Sequence, residues 1–313
     1  LWIERPDPDS TSLTILGLLD SPSLTGAFEF VVTPGVEMEV AVRASLHARR
    51  TVSQLGLAPL TSMFWYGEQQ ARPDGQFRPE VHDSDRLLMW ASSGERLWRP
   101  LSNPMFSSEH VRHTVWDTGS SVRGFGLLQR DRLFANYQDT EANYHRRPSF
   151  WVTPGPGWLA GRVELVELST DSEYADNIVA YWKPEAPLEP GSPLRYSYTV
   201  RATNAASPGL GDAMQASSWW IEKQVDSRRF LADFVGIDAG DDVETNEAVK
   251  AIATIDGRTL DADVFCNPSG GGVRVSFALP PDLAAASSVR VFVQTAQGDA
   301  SETLVIPTEV LTP

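Results

Sequence analysis

From Val36 to Leu46 the apolar residues Val36, Met38, Val40, Val42 and Leu46 alternate with Glu37, Glu39, Arg43 and Ser45, the two-residue period of a strand that buries one face. The same period returns at Leu194, Tyr196, Tyr198 and Val200 against Arg195, Ser197, Thr199 and Arg201, and at Val273, Val275, Phe277 and Leu279 against Arg274 and Ser276. Between such runs stand Pro34-Gly35, Pro154-Gly155, Pro156-Gly157, Pro190-Gly191 and Pro208-Gly209, each joining a fixed φ to a permissive one, as tight turns require. Only Ser172 to Asp176 and Asp282 to Ala286 suit a helical turn, and no apolar stripe of 3.6-residue period exceeds two turns. The pattern predicts an all-β protein.

The aromatic residues divide the chain. All ten Trp, seven Tyr and five His lie at or before Trp220, and only Phe follows. Residues 1–203 are read as one large domain, 204–223 as a linker rich in Ala, Ser and Gly, and 224–313 as a small domain. From Gln224 onward 14 acidic residues face 6 basic ones, a charge of −8, and the length and strand density suit an immunoglobulin-like sandwich. Its Asp241-Asp242 pair with Glu244 reads as a solvated acidic loop.

Composition removes several classes of function. With 42% hydrophobic and 21% charged residues among 313, the chain is neither disordered nor collagenous. The most apolar stretch, Leu13 to Val32, is broken by Asp20, Ser21, Pro22, Ser23 and Glu29, so no membrane span is expected. A net charge of −15 opposes nucleic-acid binding, which needs a basic surface to release counterions. Cys266 is the single cysteine, which excludes disulfides and thiolate-paired zinc. The start at Leu1, Trp2 and Ile3 lacks both Met and a signal peptide, as a processed or truncated product would.

Two dense segments carry candidate chemistry. Phe64 to Pro104 gathers Trp65, Tyr66, Glu68, Arg72, Arg78, Glu80, His82, Asp83, Asp85, Trp90, Trp98, Arg99 and Asn103. Aromatic faces that stack on sugar C–H surfaces, mixed with planar polar groups for hydroxyls, are what a carbohydrate cleft requires; a sandwich core filled by Trp is the simpler alternative. Gln129 to Trp151 places Asp139 and Glu141 among Tyr137, Tyr144, Arg146 and Arg147. These groups make either a salt-bridged loop, in which arginine lowers a carboxyl pKa, or the carboxyl pair of glycoside hydrolysis. His82, Asp83 and Asp85 lack metal-ligand spacing toward His110 and His113. No metal or cofactor is expected, and neither a G-x-S-x-G elbow nor a phosphate-binding glycine loop appears.

Seven strings in order resemble the periplasmic glucan biosynthesis family, the MdoG or OpgG/OpgD proteins of Gram-negative bacteria: APLTSMFWYGE from Ala58, FRPEVHDSDRLLMW from Phe77, LWRPLSNP from Leu97, GFGLLQRDR from Gly124, FANYQD from Phe134, YHRRPSFWV from Tyr144 and VELVELSTDSEYADNIVAYWKP from Val163. The resemblance is strong over residues 10 to 203, and SET at Ser301 to Thr303 resembles the end of the family's small domain. It implies a large β-sandwich with a C-terminal immunoglobulin-like domain, exported to the periplasm. It also implies action on glucans with a β-1,2-linked backbone, as an inverting glycoside hydrolase or ring-closing transglycosylase. The alternative role is a non-catalytic glucan-binding factor that presents chains to a membrane glucan synthase.

By motif position the general acid falls on Asp139, which must stay protonated despite Arg130, Arg132, Arg146 and Arg147. Glu80, Asp83 and Asp85 are candidates for the opposite role, because inversion needs a separated carboxylate or a relay. Trp65, Tyr66, Glu68, Arg78, Trp90, Trp98, Arg99, Tyr137, Glu141 and Arg147 are the candidates for contacting glucose units. The family's sandwich begins before the region matched by Leu1, so its early strands are expected in a preceding segment that would cover otherwise exposed edges.

Overall fold

A computed structural model of the chain describes residues 1–104, 111–116, 121–205, 214–223, 227–236, 249–267, 271–281, 283, 288–298 and 300–311. The first strands are β1 (Trp2–Ile3), β2 (Leu13–Asp20), β3 (Leu24–Thr33), β4 (Met38–Ala48), β5 (Leu57–Ser62), β6 (Phe64–Tyr66), β7 (Val81–His82) and β8 (Arg86–Ala91). They are followed by β9 (Arg96–Pro100), β10 (Val111–Trp116), β11 (Val122–Leu128), β12 (Ser149–Pro154), β13 (Gly161–Leu168), β14 (Ile178–Pro184) and β15 (Leu194–Thr203). The remainder are β16 (Gln215–Lys223), β17 (Arg228–Val235), β18 (Val249–Ile255), β19 (Arg258–Leu260), β20 (Ala262–Asn267), β21 (Gly272–Ala278), β22 (Ser288–Thr295) and β23 (Thr303–Pro307). Among the described residues no helix exceeds four residues: α1 is Phe134–Tyr137, α2 is Thr308–Leu311, and a 3₁₀ turn covers Tyr144–Arg146. The protein is all-β. Ser172 to Asp176 is a loop with turns. Asp241, Asp242 and Glu244, Pro208-Gly209, His110 and most of Asp282 to Ala286 lie outside the described residues.

Two compact units form, one from Leu1–Gly94 with Leu101–Pro208, the other from Glu95–Pro100 with Gly209–Pro313. In the first, one sheet runs β1-β2-β3-β4-β15-β12-β11-β8 and another β10-β13-β14-β5, with β6 and β7 as a separate ribbon. The alternation in β4 is used as the sequence predicts: Val42, Ala44 and Leu46 are buried and face Tyr198, Tyr196 and Leu194 across the antiparallel ladder. The two larger sheets meet through a chain of rings. Phe125 on β11 lies 6.4 Å from Trp158, and Trp158 lies 5.6 Å from Trp182 on β14.

The second unit has the sheets β9-β23-β22-β18-β19 and β16-β17-β21-β20. Its core stacks Trp219 on Phe230 at 5.8 Å and Phe230 on Phe277 at 5.0 Å. Two features depart from the segmentation by composition. Residues 215–223, placed in the linker, form strand β16, whose alternation is interrupted by a register shift between Ala216 and Ser218; such a bulge hides a strand from a strict period-2 reading. Residues 95–100 join the second unit because β9 pairs with β23 in parallel, a contact between segments some 200 residues apart that no local pattern encodes.

Glycines at 124 and 126 explain the GFG string. A Cβ at Gly124 would stand 2.4 Å from the Trp151 ring, and one at Gly126 would stand 2.3 Å from the Phe150 carbonyl oxygen. Bare backbone on β11 therefore lets β12 lay Trp151, 3% exposed, flat across it. Gly126→Ala must displace backbone, so it is expected to lower the unfolding free energy by about 1–3 kcal/mol. Urea denaturation of the two proteins measures this, and equal stability would contradict the close approach.

Candidate functional site

The candidate site is built from the β6–β7 ribbon, the loops at residues 67–80, 129–147 and 169–177, and the ends of the strands that carry them. His82 sits at its buried base, its ring stacked on Phe64 at 5.2 Å and met edge-on by Tyr137 at 5.2 Å. The side-chain nitrogen of Gln129 donates to the carbonyls of His82 (3.0 Å) and Tyr144 (3.1 Å), which turns Gln129 Oε1 toward His82 Nδ1 at 3.0 Å. His82 Nε2 faces Glu80 Oε2 at 2.9 Å. Both ring nitrogens thus meet acceptors, an arrangement that suits imidazolium. Burial opposes the charge, but the Glu80 carboxylate outweighs it and raises the His82 pKa.

Asp139 follows α1. Gln138 closes the helix in the left-handed region, φ 53°, its amide donating to Phe134 O. The chain then turns back so that Asp139 Oδ1 accepts from the amides of Glu141 (2.9 Å) and Ala142 (2.6 Å), a turn stabilised by its own side chain. Its Oδ2 accepts from Arg78 NH1 at 2.8 Å. Arg78 also grips Glu173 with both terminal nitrogens, NH1 to Oε2 at 2.8 Å and NH2 to Oε1 at 2.9 Å. The Tyr144 hydroxyl donates to Glu173 Oε2 at 2.5 Å, and the Tyr66 hydroxyl to the Arg78 carbonyl at 3.2 Å.

Burial works to raise the Asp139 pKa, but Arg78 and the turn amides outweigh it, so the carboxyl is held below the ordinary range. This differs from the protonated state an acid needs, and the cause is Arg78, contributed by a loop 61 residues away, rather than the neighbouring arginines. Arg132 donates to the Arg147 carbonyl, and Arg147 donates to the Ala142 carbonyl and lies over the Tyr144 ring at 5.8 Å.

The three candidates for the opposite role differ. Asp85 is saturated, its carboxylate taking Nε and NH2 of Arg86 (2.6 and 2.7 Å) and the amides of Arg130 and Asp131. Burial alone would raise its pKa, yet these partners lower it. Glu80 is committed to His82. Asp83 lines a cavity of about 370 Å³ with Pro59, Thr61, Ser84, Arg147 and Phe150. Its Oδ1 is buried without a hydrogen bond, with Arg147 Nε at 3.3 Å. Burial raises the Asp83 pKa, only partly offset by Arg147.

Several expected sugar contacts have other surroundings. Tyr66 and Tyr137 are 2% and 0% exposed and pack with Met63, Val81 and Tyr144 as a core cluster, so neither shows a free ring face; inward strand and helix positions explain this. Trp65 is half-buried against that cluster, 5.2 Å from Tyr66. Trp90 is half-buried, with Arg123 over its ring at 5.2 Å. Trp98 and Arg99 are buried on β9 and count with the second unit. Glu141 is exposed at the Asp139 turn. Sequence reasoning passed over Glu173, although its string STDSEYAD joins two strands without alternation, the only local signal it offers.

The carboxylates of Glu68, Glu80 and Asp131 approach within 4.8 Å of one another. Burial and then the charge of Glu80 push the Glu68 pKa up to about 7. These are the residues whose donor set suits a cation, but Glu80 is already engaged by His82. The ligands considered in EVHDSD diverge to separate partners.

The model of the family described as "Periplasmic glucan biosynthesis protein, MdoG" matches residues 1–307. The chain belongs to this family. A "Glucans biosynthesis protein G" of Ralstonia nicotianae is 42% identical over 290 residues, covering 89% of this chain and 56% of the relative. One of Vibrio cholerae is 41% identical over 284 residues, with coverage of 90% and 51%. A "Probable glucans biosynthesis protein D" of Shewanella oneidensis is 37% identical over 306 residues, with coverage of 94% and 55%. The chain spans about half the length of the curated relatives it matches. A solved polysaccharide lyase overlaps 96% of this chain and 36% of its own at TM-score 0.24 and 12% identity, a likeness that carries no argument. Among the described residues no helix is long and apolar enough to cross a membrane.

Replacing Arg78 by Met strands two carboxylates in a largely buried site, and a loss of about 3–5 kcal/mol is expected near pH 7. Asp139 and Glu173 both have lowered folded pKa values, so the stability they contribute is present above their unfolded pKa and disappears as pH falls through the folded one. The difference between parent and variant in urea denaturation should therefore shrink on acidification. A pH-independent difference would show that Arg78 acts through packing alone.

Proposed function

We propose that this chain acts in the periplasm on glucan with a β-1,2-linked glucose backbone, as an inverting glycoside hydrolase or a transglycosylase, with Asp139 as the proton donor. The observation that supports this reading is the sharing of Arg78 between Asp139 and Glu173. An arriving sugar oxygen that takes the place of NH1 at Asp139 Oδ2 leaves the guanidinium paired with Glu173 through two hydrogen bonds, so no buried cation is abandoned. Burial then raises the Asp139 pKa with less opposition, and Oδ2 is the oxygen left to carry the proton, because Oδ1 is held by backbone amides.

In the reaction the Asp139 proton passes to the glycosidic oxygen as the C–O bond breaks. Water, or a sugar hydroxyl for transglycosylation, attacks the opposite face of the ring, and its proton goes to a second carboxylate directly or through a relay. Of Glu80, Asp83 and Asp85, Asp83 suits this role: it borders open volume, its Oδ1 is held only by the ion pair to Arg147 at 3.3 Å, and its raised pKa makes it a stronger base than an ordinary aspartate.

A second reading, a non-catalytic factor that binds glucan and hands it to a membrane synthase, is favoured by the ionised state of Asp139 in the absence of sugar, since binding needs no proton donor. Incubation with linear β-1,2-glucan and product analysis separates the two. Shortened or cyclic products, lost by about 10²–10⁴-fold in Asp139→Asn while glucan binding and the melting profile persist, are expected. Intact chains despite binding would establish the second reading, and an Asp139→Asn protein with full turnover would remove Asp139 from the mechanism.

A further inference from the structure

The sheet β16-β17-β21-β20 lies wholly in the second unit. One face is core, with Trp219, Phe230, Val275 and Phe277 at most 4% exposed; the alternate positions form the outer face. There Trp220 is 37% and Phe265 47% exposed. They occupy the two outer strands, three strand spacings and one row of side chains apart by the pairing registers, about 16 Å between Cα atoms.

Between them on this face lie Leu231, half-buried, and Ser276 in the row of Trp220, and the paired Asp233 and Arg274 in the row of Phe265. Arg274 lies over the Trp220 ring at 5.0 Å and donates Nε and NH2 to the two oxygens of Asp233 at 2.7 and 2.8 Å. Arg229 pairs with Asp263 at 3.1 Å. The Arg274 side chain is 42% exposed, so the planar guanidinium remains open to a ligand.

Single exposed aromatics need no explanation, but two that flank a self-neutralised strip of planar donors and acceptors define a chemistry. On a chain of net charge −15 these four charges cancel one another, so a charged partner finds no complementary field. An apolar partner would cover the Asp233–Arg274 pair without replacing its contacts with water. A neutral polyhydroxyl chain satisfies both parts, its C–H faces against the Phe265 ring and the part of Trp220 that stays exposed beside Arg274, its hydroxyls against the strip. We infer that this face is a second contact surface for a neutral glucan chain, engaging several sugar units between Trp220 and Phe265. The inference rests on the reading that the protein engages glucan and deepens it by naming where a long chain is held.

The test is calorimetric titration of long linear β-1,2-glucan into the parent and the double variant Trp220→Ala/Phe265→Ala, with melting profiles as the folding control. Affinity is expected to fall about tenfold, about 1.4 kcal/mol, and to return with Trp220→Phe/Phe265→Tyr. A double variant that binds like the parent overturns this surface and leaves the Asp139 site untouched. A parent that binds no such glucan overturns both. An affinity loss accompanied by a change from dimer to monomer in light scattering also overturns it, because the face would then join two copies.

Discussion

The site depends on one guanidinium in a confined space. Arg78 must satisfy Asp139 and Glu173 together, and in doing so it ties a turn at residues 139–142 to a loop at residue 173 and to its own loop at residue 78. None of these segments is held by a long strand ladder, so the charge network does the positioning that hydrogen-bonded sheets do elsewhere. Because the pairing is buried, each member is costly to remove.

Beneath the network lies a second constraint, the satisfaction of buried polar groups. His82, Glu80 and Gln129 form a closed set in which each acceptor faces a donor, and the tyrosines around them supply packing as well as hydroxyls. Tyr137 donates to the Asp131 carbonyl and Tyr144 to Glu173. Their rings therefore belong to the core. Asp85 belongs to the same framework, because a carboxylate receiving four hydrogen bonds anchors the 130–131 backbone more readily than it exchanges protons.

The sheets set the distances over which these loops meet. The glycines of β11 bring Trp151 onto bare backbone, and the Phe125–Trp158–Trp182 chain fixes the spacing between layers. In the second unit the same alternation that buries Trp219 turns Trp220 outward, so a single register shift at residue 217 decides which tryptophan is core and which is surface.

The all-β class, the strands at β4, β15 and β21, and the crowding of carboxylates with arginines in two loop segments were legible in the chain alone, because period-2 burial and local composition are properties of neighbouring residues. The strand that begins at Gln215 escaped the same reading since a bulge breaks its period, and β9 escaped because its partner lies some 200 residues away. Asp139 could be picked out as a candidate from its string, but its ionised state could not, for the arginine that imposes it is 61 residues distant and was itself assigned to the sugar. Glu173 carried almost no signal. Local sequence decided which residues were available; only the folded loops decided which charges share a space of low dielectric, and there the protonation and role of each carboxyl are set by its neighbours rather than by its own identity.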